Sequence, residues 1–293
     1  MAKPFDSISV AVVGSINLDL VARVKRFPEP GETISDACVK RYPGGKGGNQ
    51  ALAARRLGAK VWLVACTGED SAADEAVASL RAAGVHLQHC RRLAGVGTGL
   101  ALILVTYEGE NQIVVAPGAN AAFTPDLLDL PAADAVIAQL EVPMETILKA
   151  ASLASGFFCL NAAPVRPVAE AVLERTDLLV VNEIEARSLE ANLPGYRGLL
   201  AVTLGARGAV LRRDGTTLAE ARPPSITAVD ATGAGDAFTA ALTVGLVSGL
   251  AEQEALELAC RAGALCATRP GAQSSPTAAE LMSGIEPEDA LKP

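Results

Sequence analysis

The sequence has few histidines and no paired cysteines, and both shortages exclude classes of chemistry. His86 and His89 are the only histidines, and neither has a Cys or Glu at metal-ligand spacing. Catalysis by a histidine base is therefore not expected. The six cysteines include no Cys-x-x-Cys pair, which excludes the common zinc-ligand and redox spacings. We expect free, mostly buried thiols in a reducing compartment.

Positive charge and long apolar runs are also scarce. Lys and Arg number 25 against 33 Asp and Glu, which leaves a formal net charge of −8. Because a nucleic-acid binder needs a cationic surface, we expect no nucleic-acid partner. No uncharged stretch, that of residues 237–251 included, reaches the roughly 18 residues that a membrane span requires. We therefore expect a cytoplasmic protein that does not enter membranes.

Half of the 293 residues are apolar, so the chain can bury a large core. Short apolar runs alternate with helical patterns, which predicts an α/β fold with a mostly parallel central sheet and helices on both faces. The predicted strands lie at 8–13, 61–65, 135–140, 157–160, 178–181 and 199–203. The predicted helices lie at 48–57, 72–83, 144–154, 167–174, 183–191, 234–247, 252–267 and 277–282.

Two segments interrupt this alternation. Residues 32–42 and 98–116 are predicted as strands without intervening helices, and the second forms a hairpin around the turn at 108–111. We expect a single domain over 1–293 with a small β lid formed by about 15–43 and 97–117. A small flap of this kind buries little apolar surface alone, so it is expected to close on a ligand or to dimerise.

The strongest local motif is DATGAGDAF at 230–238, a glycine-rich turn that leads into a predicted helix. The backbone amides of Gly233, Ala234 and Gly235 are expected to point together at the positive end of the helix dipole, as an anion hole. Asp236 follows in the first helical turn. It could be only a helix cap, but the open turn favours phosphoryl transfer, with the carboxylate deprotonating a hydroxyl. We expect Asp236 to need placement and no pKa adjustment.

Two further motifs suit a polar ligand. Residues 44–48 contain four glycines, which permit close approach of a ligand to the backbone, although a flexible loop is an alternative. Asn17 and Asp19 are two residues apart, so in an extended chain they face the same way. An amide beside a carboxylate suits a pair of sugar hydroxyls, and a solvated loop is the alternative.

These motifs also carry a family resemblance. GSINLD, YPGGKGGNQA and DATGAGDAF occur in this order, with ACTGED, QLEVP, LNAAP, VNEIEA, TLGARG and TRPGAQSS between or after them. Over nearly its whole length the chain resembles the ribokinase-like sugar kinases of the phosphofructokinase-B type. The resemblance implies the ribokinase-like fold and ATP-dependent phosphorylation of the primary hydroxyl of a small sugar. It also implies Mg²⁺, an activating K⁺ ion and a homodimer joined through the β lid.

The resemblance assigns roles residue by residue. Asp236 would be the base, and Gly233, Ala234 and Gly235 the anion hole. The residues that would hold the sugar are Asn17, Asp19, Gly45, Lys46, Asn49 and Glu141. Those that would contact ATP are Asn182, Glu185, Thr203, Gly205, Gly208 and Gly235, with Glu185 also holding Mg²⁺ through water. Those that would bind the monovalent cation, several of them through backbone carbonyls, are Asp230, Thr232, Cys266, Arg269, Gly271 and Ser275.

The choice of sugar depends on the aromatic residues, of which the chain has ten. Only Tyr42 lies near the sugar motifs, so a stacking site for a nucleoside base is not expected. A small polar sugar is favoured, with ribose first. The alternatives are deoxyribose, fructose, a keto-deoxy sugar acid, a nucleoside, or a catalytically silent sugar-binding protein. Family members usually have an additional helix between the strands predicted at 178–181 and 199–203, where this chain has only residues 182–198.

Overall fold

The computed structural model describes residues 2–190 and 193–283. In chain order the strands are β1 Ser9–Val13, β2 Asn17–Val24, β3 Cys38–Gly44, β4 Lys60–Gly68, β5 Cys90–Leu93, β6 Gly99–Thr106, β7 Asn111–Ala116, β8 Ala135–Gln139, β9 Phe157–Asn161, β10 Leu178–Asn182, β11 Leu199–Thr203, β12 Ala209–Arg213 and β13 Thr216–Ala221. The helices are α1 Lys46–Arg56, α2 Ser71–Ala76, α3 Ala78–Ala83, α4 Met144–Leu153, α5 Glu170–Arg175, α6 Glu183–Ser188, α7 Ala234–Ser248, α8 Glu252–Ala267 and α9 Ala278–Met282.

The main sheet has nine strands in the order β13-β12-β11-β10-β9-β8-β1-β4-β5. The seven strands from β11 through β1 to β5 in this order pair in parallel. Strands β12 and β13 add an antiparallel hairpin at one edge. The central strand β1 is buried on both faces: Val10 and Val12 belong to one core, Ala11 and Val13 to the other. Such double burial is typical of parallel sheets that helices cover on both sides.

Helices supply the outer layers of both cores. Leu52 of α1, Phe238 of α7 and Leu256 of α8 pack on one face of the main sheet. Ile147 of α4 and Val172 of α5 pack on the other. The predicted α/β fold is therefore confirmed. No helix among residues 2–190 and 193–283 combines the length and the apolar character needed to cross a bilayer.

A second sheet of four strands, in the order β3-β2-β6-β7, is separate from the main sheet. The predicted hairpin is confirmed, since β6 and β7 pair antiparallel around a turn in which Gly109 has a φ of +92°. Strand β2 pairs in parallel with β6 and antiparallel with β3.

Several predicted boundaries were wrong. The strand predicted at 32–42 begins only at Cys38, and the helix predicted at 72–83 is interrupted at Val77 and forms α2 and α3. The strands that sequence reasoning missed are β2, β5, β12 and β13. In β2 the side chains of Asn17 and Asp19 are buried although they are polar. The strand therefore lacks the alternation of apolar and polar residues by which a half-buried strand is recognised. Between β10 and β11 the described residues contain α6 and a short 3-10 turn, Leu193–Gly195.

The carboxyl ends of parallel strands lie at one edge of the main sheet, where α/β folds bind ligands. Five strands deliver polar residues at or just beyond this edge. These residues are Ser15 after β1, Glu141 after β8, Asn161 ending β9, Asn182 ending β10 and Thr203 ending β11. The topology therefore brings together residues that lie far apart in the sequence.

Candidate active site

Asp236 lies in the first turn of α7 and is 5% exposed. The preceding residue that caps this helix, Gly233, has a φ of +80°, and a Cβ there would lie 2.1 Å from the backbone oxygen of Ala272. Only glycine fits such a position without strain. The glycine turn thus sets where α7 begins and directs Asp236 inward, towards α1.

Both carboxylate oxygens of Asp236 accept a hydrogen bond from a side-chain amide of α1. Asn49 Nδ2 donates to Oδ2 at 2.9 Å, and Gln50 Nε2 donates to Oδ1 at 2.8 Å. Helix α1 starts after Gly45, whose φ is +84° and where a Cβ would lie 2.7 Å from the amide nitrogen of Asn17. The two glycine-rich motifs therefore meet at Asp236. Sequence reasoning gave Gln50 no role, although the motif contains it.

The charged groups around Asp236 influence one another's pKa values. Burial raises the pKa of Asp236, and the opposing effects of the Lys46 charge and of the two amides do not cancel it. The expectation that this carboxyl needs no pKa adjustment was wrong, because the site is closed off from water. Burial acts to lower the pKa of Lys46, but the negative charges of Asp236, Glu141 and Glu185 outweigh it, so the pKa rises. Lys46 thus stays a cation among three carboxyl groups.

The turn before α7 partly matches the predicted anion hole. The amide of Ala234 donates to the backbone oxygen of Ala231 at 3.2 Å, because the turn closes on itself. Its predicted role is therefore corrected. The amides of Gly233, Gly235 and Asp236 have no hydrogen-bond partner in the part of the chain that the structure describes. These three N–H groups can receive an anion at the positive end of α7.

Glu141 is held in place by the loop after β1 and by the start of α1. Its Oε2 accepts from Ser15 Oγ at 2.5 Å and from the Lys46 amide at 3.0 Å. Ser15 Oγ in turn accepts from the Gly47 amide at 3.3 Å. Ser15 is fully buried, and nothing in the sequence pointed to it beyond its place in the GSINLD motif.

Asn17 is oriented by a residue from the far end of the second sheet. Asn120, in the turn after β7, donates to Asn17 Oδ1 at 2.7 Å and to the Ile16 oxygen at 3.1 Å, and its own Oδ1 accepts from the Ile16 amide at 2.9 Å. A Cβ at Gly99 would lie 2.2 Å from Asn17 Oδ1 and 2.3 Å from Asn120 Nδ2. The Asn17 amide group is therefore turned so that its NH₂ is available. Sequence reasoning missed Asn120, which is 103 residues away from Asn17.

Asp19 lies beside this amide and is 8% exposed. Burial, together with the nearby charges of Glu141 and Asp236, raises its pKa to about 7. Its carboxylate occupies the space that a Cβ at Gly44 would need, at 2.3–2.5 Å. Asn49 Oδ1 is buried and has no hydrogen-bond partner among the described residues. Asn49 Oδ1 and the Asp19 carboxylate are therefore available to a polar ligand.

A cavity of about 640 Å³ lies on the other side of the glycine turn before α7. Its walls are mostly small or apolar. They include the predicted residues Thr203, Gly205, Gly208 and Gly235, together with Ile226, Phe238, Cys260, Gly263 and Ala264.

Asn182 and Glu185 do not line this cavity and instead form a capping box at the start of α6. Asn182 Oδ1 accepts from the amides of Ile184 and Glu185, each at 2.9 Å, and Glu185 Oε2 accepts from the Asn182 amide at 2.8 Å. Burial raises the pKa of Glu185, while the amide of Asn182 and the charge of Lys46 act to lower it. The motif therefore has a structural role, with its carboxylate within electrostatic reach of Lys46.

The residues predicted to hold a monovalent cation are only partly brought together. Asp230 accepts from the amide and hydroxyl of Thr232 at 2.9 and 2.6 Å and from the Gly271 amide at 2.9 Å, so it joins the two loops. Cys266 Sγ lies 3.9 Å from the Thr232 oxygen. The remaining two face other partners, since Arg269 pairs with Glu280 and the Ser275 oxygen accepts from Arg56 at 2.6 Å.

Among the described residues, no group of three or more His, Cys, Asp or Glu side chains is arranged to hold a metal ion. A metal site formed by protein side chains alone is therefore not found in this part of the chain. Any metal here would depend on backbone oxygens, water or a bound ligand for most of its ligands.

Taken together, an acid at a helix start, an anion hole and a cluster of buried polar side chains at the carboxyl edge of a parallel sheet are typical of a phosphotransferase for a hydroxyl compound. Residues 7–279 match the model of the pfkB family carbohydrate kinases. The Bacillus subtilis ribokinase is 34% identical, with 93% of this chain and 98% of the relative covered. The chain belongs to the pfkB family of carbohydrate kinases, as its motifs predicted.

Two solved structures have the same fold over nearly the whole chain. The crystal structure of the Thermotoga maritima ribokinase superposes with a TM-score of 0.86 at 32% identity, covering 94% of this chain and 98% of that one. The structure of the Arabidopsis thaliana ribokinase complexed with ribose and ATP superposes with a TM-score of 0.85 at 29% identity, covering 97% and 98%.

Proposed function

We propose that this protein transfers the terminal phosphoryl group of ATP to the primary hydroxyl of D-ribose. The observation that carries the proposal is the position of Asp236, between the unpartnered amides that start α7 and a closed polar pocket. The ribokinase relatives and the fold that this chain shares with a ribokinase bound to ribose and ATP support the choice of both substrates.

The polar pocket offers groups that complement several hydroxyls. Asn49 Oδ1 is a buried acceptor without a partner among the described residues, which is costly unless a ligand satisfies it. Asp19 and Glu141 offer carboxylate oxygens, and Asn17 offers its NH₂ group. Gly45 and Lys46 shape the edge of the pocket through the start of α1. We assign the sugar to this pocket.

Asp236 would take the proton of the primary hydroxyl as the new O–P bond forms, since a sugar hydroxyl is too weak an acid to ionise earlier. The amides of Gly233, Gly235 and Asp236 would neutralise the phosphoryl oxygens, and the Lys46 ammonium adds a fixed positive charge. Because burial raises the pKa of Asp236, turnover should fall on acidification at a higher pH than an Asp with an ordinary pKa would require.

ATP would occupy the cavity beyond the glycine turn. Gly235 lines both this cavity and the anion hole, so a nucleotide bound there can place its phosphates at the start of α7. Thr203, Gly205 and Gly208 form the wall at the end of β11. The apolar lining suits the faces of a purine ring.

Two metal ions belong to the proposal. When bound, Mg²⁺ neutralises charge on the transferred phosphates, and Glu185 at the start of α6 is the carboxylate that would hold it, largely through water. K⁺ would lie between the loops that Asp230 joins, with the Asp230 carboxylate and the backbone oxygens of Thr232 and Gly271 as its hard oxygen ligands. Arg269 and Ser275 would take part through their backbone oxygens, since the Arg269 side chain pairs with Glu280, and Arg56 also donates to the Ser275 oxygen.

The second sheet would close over the sugar as a lid and join two copies of the chain. Leu102 and Val114 are paired neighbours on β6 and β7, and they are 50% and 65% exposed. An apolar face of this kind is covered well by the same face of another copy. We also place the protein in the cytoplasm, where the six free thiols would stay reduced.

The test is ATP consumption with purified protein and D-ribose, 2-deoxyribose, fructose, a keto-deoxy sugar acid and a nucleoside, with and without K⁺. We expect the highest kcat/KM with ribose, a product phosphorylated at the primary carbon by phosphorus NMR, and faster turnover with K⁺. Asp236→Asn, purified in parallel, controls for contaminating kinases. Preference for another sugar would reassign the substrate, and no turnover with any of them would favour a silent binding protein.

A further inference from the structure

A row of buried amide side chains from α1, β8 and β9 adjoins Asp236. Gln50 of α1 and Gln139 at the end of β8 are both fully buried. Gln50 Nε2 donates to Asp236 Oδ1 at 2.8 Å and also to Asn161 Oδ1 at 3.1 Å. Asn161 ends β9, so three separate elements converge on this one amide.

The neighbours of Gln50 fix which end of its amide faces Asp236. Gln139 Nε2 donates to Gln50 Oε1 at 2.6 Å, and Asn161 Nδ2 is engaged with the Val180 oxygen at 3.2 Å, which turns Asn161 Oδ1 towards Gln50. If the Gln50 amide were reversed, its oxygen would face the carboxylate and its NH₂ would face that of Gln139. Both contacts would be repulsive, so the NH₂ of Gln50 must face Asp236.

This arrangement has a local cost. Gln139 Oε1 is buried and has no hydrogen-bond partner among the described residues. It occupies the space that a Cβ at Gly14 would need, at 1.9 Å. An unsatisfied buried acceptor is unfavourable, so a structure that keeps one while orienting a neighbour points to a functional requirement.

We propose that Gln50 and Gln139 are positioning residues that hold the Asp236 carboxylate as an oriented anion, with Gln139 acting through Gln50. The inference rests on the proposed role of Asp236 as the base. A hydrogen bond donated to a buried carboxylate favours its charged form, and the effect is larger in a water-poor site than at a surface. The other side of Asp236 is held by Asn49, which also faces the sugar pocket.

The charged and titratable groups around Asp236 come from several elements. They are Lys46 on α1, Glu141 after β8, Asp19 on β2, Glu185 on α6 and Cys266 on α8. None of them is altered by a substitution at Gln50 or Gln139, so a change in the titration of Asp236 in these variants reports the loss of the amide donor.

The test replaces each glutamine by methionine, which has a similar shape but donates no hydrogen bond. With Gln50→Met we expect kcat to fall about tenfold and the acidic limb of the kcat profile to move up by about one pH unit. With Gln139→Met we expect a smaller change in the same direction, because Gln50 stays but is free to turn. The KM values for sugar and ATP should stay within about threefold of wild type.

The matched control is Thr243→Val, which removes another buried hydrogen bond of α7, from Thr243 Oγ1 to the Thr239 oxygen at 2.8 Å, without touching Asp236. It should leave the acidic limb at the wild-type pH, whatever its effect on Tm. If the glutamine variants are folded and their acidic limbs coincide with wild type, the proposal is overturned and the two residues are structural only.

A second measurement separates this inference from the proposed function. The pKa of Asp236 can be followed in the ligand-free protein by carboxyl carbon NMR, with Asp236→Asn used to assign the signal. A higher pKa in Gln50→Met supports the inference even if no sugar is phosphorylated. An unchanged pKa overturns it even if wild-type protein is an active kinase.

Discussion

The two halves of the proposed site are formed by different kinds of groups: polar side chains in the sugar half, and backbone turns with small residues in the nucleotide half. In the sugar half, buried or half-buried polar side chains lie together, and hydrogen bonds orient several of them. These side chains are Ser15, Asn17, Asp19, Asn49, Asn120 and Glu141. In the nucleotide half, backbone turns and small side chains enclose an open cavity. Its residues are Thr203, Gly205, Gly208, Gly235 and Ala264.

The difference shows where each half obtains its selectivity. In the sugar half partners orient Ser15, Asn17 and Asn120, so a ligand must match the polar atoms that are left, such as Asn49 Oδ1 and the Asp19 carboxylate. A missing hydroxyl would leave a buried group unsatisfied, which is a strong basis for discrimination. The nucleotide half presents amides and apolar walls, which recognise phosphate and a flat ring by shape. Substitutions should therefore be felt more strongly in the sugar half.

Asp236 joins the two halves, and its loss should have the largest effect. In Asp236→Asn the amide keeps the size of the side chain but cannot accept the proton, so kcat should fall by about 100-fold or more. Sugar binding by calorimetry should change little, because Asn17, Asn49 and Glu141 remain. Turnover close to that of wild type would remove Asp236 from the role of base.

The second test uses the contact that keeps Asn17 and Asn120 together. Gly99→Ala would force a methyl group to within 2.3 Å of both side chains, and losing their mutual orientation should raise the sugar Kd by about 30-fold. The KM for ATP should not change. Gly97→Ala is the matched control two residues earlier, since its Cβ would approach only Asp70, at 3.8 Å. Equal effects of the two substitutions would contradict the role of this pair.

The sequence predicted the glycine turns of the site better than the side chains that support the sugar half, for a physical reason. Glycine turns are local, so the motifs at 44–50 and 230–238 revealed both helix starts and Asp236. Asn120 and Gln139 carry no local signal, because each reaches its partner across about 90 to 100 residues of chain. Their roles follow only from strand order, which periodicity does not determine.

The burial of Asp236 and Asp19 was also not predicted from the sequence. A glycine-rich turn predicts a site open to a ligand, and the reference pKa of Asp, about 3.9, predicts that Asp236 is ionised without any adjustment. In the structure Asp236 and Asp19 are both nearly inaccessible, and burial raises the pKa of each. The alternation of strands and helices was predictable because it repeats along the chain, whereas β2 was missed because its functional side chains are polar and buried.

The third test is the pH dependence of sugar binding. The pKa of Asp19 is raised to about 7, so this group loses its charge, and with it a hydrogen-bond acceptor, as the pH falls through neutrality. The sugar Kd should therefore rise about tenfold from pH 8 to pH 6, measured by calorimetry without ATP. In Asp19→Asn the Kd should be higher at pH 8 and nearly independent of pH. An equally steep profile in that variant would assign the titration to another group.

We expect the smallest effects on ligand binding when one hydroxyl is removed from each half. Two such variants compare the sugar half and the nucleotide half directly. Ser15→Ala deprives Glu141 of a buried donor at 2.5 Å, and the sugar Kd should rise about five- to tenfold. Thr203→Val removes a hydroxyl that makes only a long contact, 3.4 Å, with the Val181 oxygen. The KM for ATP should stay within about twofold, because the backbone of β11 and the turn after it are unchanged. If Thr203→Val has the larger effect, side chains define the nucleotide half as well, and the contrast between the two halves is wrong.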